Sequence, residues 1–158
     1  MTDEKPWYET IVLPALLRHA RMTYGKAMRG ALEAAGYDDM PKNGMYVIGG
    51  LSMGAGGVPL GQLVLELGVS KQAAGQLVDM LVLRGYIERS PDATDRRKLT
   101  VTLTERGRAA AAIQQEARKK IDDELFARVG EKGILATRRV LAALIGIGKR
   151  GKEEEHDH

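Results

Sequence analysis

Apolar residues recur at helical spacing through the first third of the chain. Within residues 7–35 they lie three and four positions apart, which is the period of one face of an α-helix. Pro14 lies inside this stretch and predicts a kink or a restart of the helix. Gly36 ends the stretch. A second helix is predicted over residues 42–52, with Pro41 as its first-turn residue.

The middle of the chain predicts two more helices followed by two strands. Residues 60–67 and 71–84 carry apolar positions at helical spacing, and a glycine-containing turn separates them. Residues 86–89 and 98–103 predict strands, because apolar residues alternate with threonine in the second of them. This order indicates a helix–turn–helix followed by a two-stranded hairpin.

The last third again predicts helices. Apolar residues recur every four positions over residues 105–129, and Thr104 is placed to cap the start of this helix. Gly130 breaks the pattern, and a final helix is predicted over residues 131–148. Residues 149–158 mix basic residues with glutamates and are predicted to form a flexible, solvated tail.

Composition narrows the class of protein. The chain has 158 residues, about one domain, of which 44% are hydrophobic and only 4% aromatic, so the core is built from aliphatic residues that favour helices. It has no cysteine, which excludes disulfides and thiolate zinc sites. No apolar run reaches the roughly 18 residues of a membrane span, and the start is unlike a signal peptide. We therefore expect a cytoplasmic protein without a membrane partner.

Positive charge concentrates around the predicted hairpin. Residues 84–108 contain seven Lys or Arg and four Asp or Glu, and the difference of +3 equals the formal net charge of the whole chain. A basic segment beside a helix–turn–helix favours a nucleic acid as the partner rather than an uncharged molecule.

The second helix of a helix–turn–helix can enter the major groove of DNA with its N-terminal end. Ser70 is placed to cap that helix. Lys71, Gln72 and Gln76 follow on its polar face, where lysine can donate to guanine and glutamine can pair with adenine. Gly75, on the same face, either allows a close approach to DNA or occupies a weak position that the helix tolerates. The sequence leaves both interpretations open.

The hairpin loop has a basic tip. Arg96, Arg97 and Lys98 suit the minor groove or its phosphates, although such a run can also be a merely solvated loop. Its position beside the helix–turn–helix favours DNA binding. Asp95 would repel phosphate, so we predict an internal role, either an ion pair or a turn hydrogen bond that fixes the arginines.

Several runs of this sequence resemble the MarR family of transcriptional regulators. Asp95-Arg96-Arg97, followed after five residues by Leu103-Thr104, is similar to the Asp-x-Arg-x5-Leu-Thr motif of that family. Residues 67–71, 77–81 and 84–89 look like the family as well. The resemblance covers nearly the whole chain.

The resemblance implies a mainly α fold with a small β-hairpin wing, formed by residues 1–158 as a single domain. Residues 7–36 and 105–148 would be dimerisation helices, and residues 42–104 would form a winged helix–turn–helix lobe. The implied protein is a homodimer that binds double-stranded DNA, with each recognition helix on one half-site of a palindromic operator.

The resemblance also implies roles for individual residues. Arg97 would be the minor-groove arginine and Asp95 its structural partner. The family's recognition-helix contacts match Ser70, Lys71, Gln72 and Gln76. The sequence departs from the family at Ala73 and Gly75, where members often carry Ser or Thr, so the contacted bases are left unassigned.

A further implication is a small anionic or phenolic effector, bound between the dimerisation helices and the lobe, that releases a repressor from DNA. Side chains suited to such a ligand are Trp7, His19, Arg21, Tyr24 and Tyr46. The two tyrosines lie on apolar stripes and also fit a core role, and His19 also fits an exposed position.

No pattern in the sequence indicates an enzyme. The histidines are His19, His156 and His158, and a metal site in the charged tail would lack the fixed geometry that ligands need. We expect no catalytic residues, no metal and no cofactor. The alternative to DNA binding is a winged-helix module for protein–protein interaction, which does not need a basic wing.

Overall fold

The computed structural model describes residues 4–53, 59–92, 94–97 and 99–156. A 3-10 helix over Trp7–Glu9 is followed by α1 (Leu13–Ala34), α2 (Gly44–Leu51), α3 (Leu60–Leu67), α4 (Lys71–Leu83), β1 (Ile87–Pro91), β2 (Leu99–Leu103) and α5 (Glu105–His156). This content confirms the predicted class, mainly α with a small hairpin. The chain divides into two compact units, Met1–Arg118 and Lys119–His158.

Helices α1 and α2 each have a proline at or shortly before their first turn. Pro14 lies in the first turn of α1, so the predicted restart is confirmed. The prediction for Pro41 is wrong, because α2 begins three residues later, at Gly44. Gly44 N–H donates to the Pro41 carbonyl at 2.9 Å, and Asn43 takes a left-handed conformation with φ of 65°. This turn places the helix start after the proline rather than on it.

Helix α4 has a defined cap at each end. The Ser70 hydroxyl accepts a hydrogen bond from Ala73 N–H at 3.1 Å. At the other end, Gly85 has φ of 77°, and Tyr86 N–H donates to the Leu81 carbonyl at 2.9 Å. This is a Schellman motif, which favours glycine because of the positive φ. The predicted inward stripe is confirmed, since the buried residues of α4 are Ala74, Leu77, Val78 and Leu81.

Strands β1 and β2 form an antiparallel pair with Ile87 opposite Leu103 and Pro91 opposite Leu99. Relative to the prediction, β1 starts one residue later and extends to Pro91. Ile87 and Leu103 are both buried, so the side chains at this end of the hairpin pack into the core. That core joins residues from α1, α2, α4, the hairpin and α5: Leu32, Met40, Val47, Ile48, Leu77, Val78, Leu81, Tyr86, Ile87, Leu103, Ala110 and Ala111.

A polar cluster closes one side of this core. The Tyr86 hydroxyl donates to Asp39 Oδ1, and Arg106 Nη2 donates to the same oxygen at 3.1 Å. Arg106 Nη1 also donates to the Arg84 carbonyl at 3.1 Å, while its guanidinium carbon lies 4.2 Å from the centre of the Tyr86 ring and 5.1 Å from that of Tyr37. One guanidinium therefore connects the α1–α2 connector, the end of α4 and the start of α5.

The ionisation of this cluster follows from its contacts. The Tyr86 hydrogen bond, together with Arg106, lowers the pKa of Asp39. Burial, together with the Asp39 carboxylate, raises the pKa of Tyr86 to about 12. Tyr86 is therefore protonated at neutral pH and donates to an ionised Asp39.

Helix α5 begins at the predicted cap. Gly107 N–H donates to Thr104 Oγ1 at 3.0 Å, and Thr104 N–H donates to the Tyr86 carbonyl at 3.1 Å. Gly130 has φ of 71° and ψ of 177°, so the helix is interrupted at the predicted residue. The predicted end of the last helix at residue 148 is wrong, since α5 continues to His156; lysine, arginine and glutamate all favour helix.

The unit Lys119–His158 carries charged pairs at helical spacing. Lys119 Nζ lies 2.6 Å from Asp123 Oδ2, and Arg128 Nη2 lies 2.5 Å from Glu124 Oε1. These exposed pairs support the helix weakly. Among the described residues, no helix combines the length and the apolar character that crossing a membrane requires.

We predict that Gly107→Ala destabilises the lobe. A Cβ at this position would lie 2.0 Å from the Tyr86 carbonyl oxygen and 3.0 Å from Leu103 Cδ2, so the backbone has to shift. The expected loss is about 1–3 kcal/mol in the free energy of unfolding, measured by urea denaturation. The matched control is Gly75→Ala, whose added Cβ meets nothing within 4 Å. It should stabilise the helix by about 0.5–1 kcal/mol. Equal effects of the two substitutions would contradict this packing.

We also predict that Asp39 makes stability depend on acid pH. Because the pKa of Asp39 is lowered in the folded state, its carboxylate stabilises the fold above the ordinary aspartate pKa of about 3.9. That stabilisation is lost as the pH falls through the folded-state pKa. The difference in thermal midpoint between the wild type and Asp39→Asn should therefore narrow from pH 7 to pH 3. The neighbouring, exposed Asp38 supplies the control, and Asp38→Asn should show a smaller difference across the same range.

Candidate nucleic-acid interface

The N-terminal end of α4 presents a polar face to solvent. Lys71, Gln72, Gly75 and Gln76 are all exposed, and their spacing places them on the side of the helix opposite the buried stripe. Ser70 caps the same end, where free backbone N–H groups and the helix dipole favour an anion. This end of the helix can therefore contact both bases and phosphates.

The approach to α4 is set by the preceding helix. Helix α3 packs against α2 and buries Leu63, and it ends at Gly68, whose φ of 65° turns the chain toward Ser70. A residue with positive φ at this point lets two helices join through a turn of three residues, 68–70. The sequence order helix, glycine turn, helix thus produces the predicted helix–turn–helix.

The loop after β1 is organised by Asp92. Its Oδ1 accepts hydrogen bonds from Thr94 N–H at 2.8 Å, from Thr94 Oγ1 at 2.7 Å and from Asp95 N–H at 3.3 Å. These bonds, the one from the Thr94 backbone first, lower the pKa of Asp92. No role for Asp92 is predicted from the sequence, although an Asp two residues before a Thr in a turn-rich loop is typical of such a turn.

Asp95 organises the tip of the wing. Its Oδ1 accepts a hydrogen bond from Arg97 N–H at 3.1 Å. Of the two internal roles predicted for Asp95, the structure therefore shows the turn hydrogen bond. Arg96 and Arg97 are exposed beside it, whereas Lys98 lies outside the described residues. The acidic residue holds the backbone from which the two arginines extend.

An ion pair connects the wing to the recognition helix. Arg89 Nη2, on β1, lies 2.6 Å from Asp79 Oδ1, on the exposed side of α4. The sequence does not predict this pair, because the two residues come together only once the strand packs beside the helix. The pair therefore holds the hairpin that carries the basic loop beside the helix that carries Gln72 and Gln76.

The residues predicted to bind an effector lie in different environments. Trp7 is exposed and makes an edge contact with the Tyr8 ring, His19 is exposed and Tyr24 is half-buried. Tyr46 is exposed and donates to Glu66 Oε2 at 2.5 Å, which raises the pKa of Tyr46; the core interpretation of Tyr46 is therefore wrong. None of these four side chains lines the cavity that lies between α1, α2 and α5.

Within the part of the chain that the structure describes, no group of three His, Asp or Glu side chains is placed to hold a metal ion. The features that stand out are the capped, polar helix end and the acid-supported basic loop.

Comparison with known proteins identifies the family. The MarR family sequence model matches residues 39–98, which span the helix–turn–helix and most of the wing. An uncharacterized HTH-type transcriptional regulator of Bacillus subtilis (strain 168), YwhA, is 32% identical over 117 residues, covering 72% of this chain and 81% of the relative. The chain belongs to the MarR family.

Solved structures of MarR-family proteins share the fold. Streptococcus pneumoniae FabT in complex with DNA aligns with a TM-score of 0.68 at 19% identity, covering 88% of this chain and 99% of that chain. The transcriptional repressor CouR, bound to a 23-mer DNA duplex, aligns with a TM-score of 0.64 at 21% identity, covering 85% and 92%. YwhA and CouR are both named as transcriptional regulators, in agreement with the prediction that the chain is not an enzyme.

We predict that Asp95→Ala loosens the wing tip while Asp95→Asn retains it. Alanine removes the acceptor of the Arg97 N–H bond, whereas the asparagine oxygen can still accept it. One such bond contributes about 1 kcal/mol, so the Arg97 amide should exchange about fivefold faster in the alanine variant. NMR hydrogen exchange measures this directly. Identical exchange in both variants and the wild type would show that Asp95 does not fix the loop.

Proposed function

We propose that this protein is a homodimeric, sequence-specific DNA-binding regulator that acts as a repressor and is released by a small effector. The observation that carries the proposal is the pairing of a capped, polar helix end with a basic wing tip on one lobe. Each of these features favours DNA more than a protein surface.

Base recognition is assigned to α4. Lys71, Gln72 and Gln76 extend from its exposed N-terminal face, and Ser70 sits where a phosphate would meet the helix end. Ala73 and Gly75 add no polar side chain on this end of the helix. We therefore assign part of the sequence preference to DNA shape rather than to a dense set of base contacts.

The wing is assigned to the minor groove. Arg96 and Arg97 extend from a loop that Asp92 and Asp95 hold by four hydrogen bonds among the described residues. A loop fixed in this way loses less conformational entropy on binding than a free basic run. Lys98, next in sequence, is proposed as an additional phosphate contact.

Dimerisation is supported by exposed apolar side chains in each unit. In the first unit they lie before and along α1: Trp7, Tyr8, Ile11, Val12, Leu13 and Leu17. In the second unit they follow α5: Leu125, Phe126, Val129, Leu135, Val140, Leu144, Ile145 and Ile147. Apolar surface of this extent on a protein chain is usually covered, and a symmetric second copy is the commonest partner.

The effector is proposed to be a small anionic or phenolic molecule. Trp7, His19, Tyr24 and Tyr46 remain the sequence-based candidates for its contacts, and effector binding is proposed to favour a dimer that no longer fits its operator. CouR, a structural neighbour, is described as a transcriptional repressor, which supports the repressor assignment by analogy.

The DNA-binding proposal is tested with Arg97→Ala and Gln76→Ala on the promoter DNA upstream of the gene. Arg97→Ala should weaken binding to all sequences and reduce the slope of log K against log salt by about one for each protomer, because a cation in the minor groove that neutralises about one phosphate charge is lost. Gln76→Ala should instead cost about 1–3 kcal/mol at one base position and relax specificity there. Fluorescence anisotropy titrations at several salt concentrations measure both effects.

Two outcomes of the same titrations would contradict DNA binding. One is affinity that does not depend on salt, and the other is equal affinity for random duplex. The protein-interaction alternative is separated by Arg96→Glu with Arg97→Glu. Loss of repression in this double variant supports a DNA partner, whereas unchanged repression supports a winged-helix module that binds protein.

Dimerisation is tested with Leu144→Glu and Ile147→Glu, two exposed apolar positions of α5. Burying a new carboxylate in an interface is unfavourable, so sedimentation equilibrium should show a shift to monomer at micromolar concentration. Leu65→Glu is the matched control, because Leu65 is also exposed but lies on α3. A monomeric wild type would overturn the homodimer.

A further inference from the structure

Gly75 lies inside the recognition helix, and the lobe has no internal need for a glycine there. Helix α4 spans Lys71–Leu83, and a glycine in a helix interior is destabilising relative to alanine. The φ of Gly75 is not positive, unlike that of Gly85. A Cβ built on Gly75 meets no atom of the described residues within 4 Å, whereas one on Gly107 would lie 2.0 Å from the Tyr86 carbonyl oxygen. The lobe itself therefore gains nothing from this glycine.

The missing side chain leaves an open space on the exposed face of α4. Lys71 and Gln72 border this space, the Gly75 notch, one turn before the glycine, and Asp79 borders it one turn after. None of these three side chains comes within 4 Å of the Cβ position. Side chains extend a helix to a radius of about 5–6 Å, whereas its Cα atoms lie at about 2.3 Å. The notch is therefore deep enough for one methyl group.

The notch offers no free hydrogen-bonding group. The hydrogen-bond ladder of α4 begins where Ala74 N–H donates to the Ser70 carbonyl at 2.9 Å, so the N–H of Gly75 falls inside the ladder. A phosphate or a polar base edge would lose water there without gaining a partner, which is unfavourable. An apolar group gains contact without that loss. The apolar group that DNA presents in the major groove is the C5-methyl group of thymine.

We propose that Gly75 determines sequence specificity, because its notch accepts the C5-methyl group of one thymine in each half-site. The same base presents its O4 acceptor beside the methyl group, and Lys71 and Gln72 supply donors one turn earlier on the helix. This thymine is then recognised by one polar contact and one apolar contact. The inference rests on the proposed function as a homodimer that binds DNA.

The first test uses the wild type and changes only the DNA. The bound site in the promoter DNA upstream of the gene is located by footprinting. Each thymine, together with its symmetry mate, is then replaced by deoxyuracil, which lacks only the methyl group. We expect one such pair of replacements to weaken binding by about fourfold for each half-site, the gain from burying one methyl group. Fluorescence anisotropy titrations at fixed salt measure the affinities.

The second test uses Gly75→Ala. The methyl group of alanine would occupy the space of the base methyl group, so the variant should bind the thymine duplex at least tenfold more weakly than the wild type. Deoxyuracil at the same thymine should strengthen binding by the variant, which is the opposite of its effect on the wild type. Because alanine favours the helix, the thermal midpoint of the variant should rise, and weaker binding would not reflect loss of folding.

Gly30→Ala is the matched control. Gly30 is an exposed glycine of α1, outside the helix–turn–helix and the wing, and a Cβ added to it likewise meets nothing within 4 Å in the described part of the chain. This variant should show the same preference for thymine over deoxyuracil as the wild type.

Three outcomes would overturn the inference. Unchanged binding by Gly75→Ala would show that the glycine only occupies a tolerated position. Equal weakening on thymine and deoxyuracil duplexes would show that another part of the DNA approaches the helix there. Wild-type affinity that no deoxyuracil replacement alters would exclude recognition of a methyl group. In each case the salt-dependent preference of the wild type for its site over random duplex, measured separately, still reports on the proposed function alone.

Discussion

The peptide unit at Tyr86 is the point on which the winged lobe depends. Its carbonyl accepts from Thr104 N–H, and the same oxygen would clash with any side chain larger than hydrogen at residue 107. The start of helix α5 is therefore packed against the base of the hairpin. This contact fixes the direction in which the wing extends. The Schellman motif at Gly85 fixes the other side of the junction, because it passes the chain from α4 directly into β1.

The charged groups around this junction compensate for one another's loss of solvation. Arg106 is partly desolvated by two aromatic rings, and Asp39 compensates for that loss while it also accepts from Tyr86. Removing any one member leaves a partly buried charge or hydroxyl with fewer partners, which is costlier than the sum of its contacts suggests. The core and this polar cluster therefore specify the same arrangement of connector, recognition helix and wing.

Much of this architecture was predictable because it is encoded locally. The caps at Ser70 and Thr104, the breaks at Gly85 and Gly130 and the alternation in β2 each depend on a few neighbouring residues. The Asp39–Tyr86–Arg106 cluster was not predictable, since its members are separated by 47 and 20 positions and nothing in their local sequence indicates contact. The same holds for the ion pair of Asp79 with Arg89.

The ion pair between Asp79 and Arg89 has a consequence for how salt acts on this protein. Both side chains are substantially exposed, so added salt screens their attraction. The same ions compete with the arginines for phosphate. Under the proposed function, a salt titration would therefore weaken the contact between wing and recognition helix together with DNA binding, and its slope would exceed the number of phosphates that the protein contacts. The number of contacted phosphates would therefore be obtained from the salt slope of the Asp79→Ala variant, because that variant lacks the ion pair.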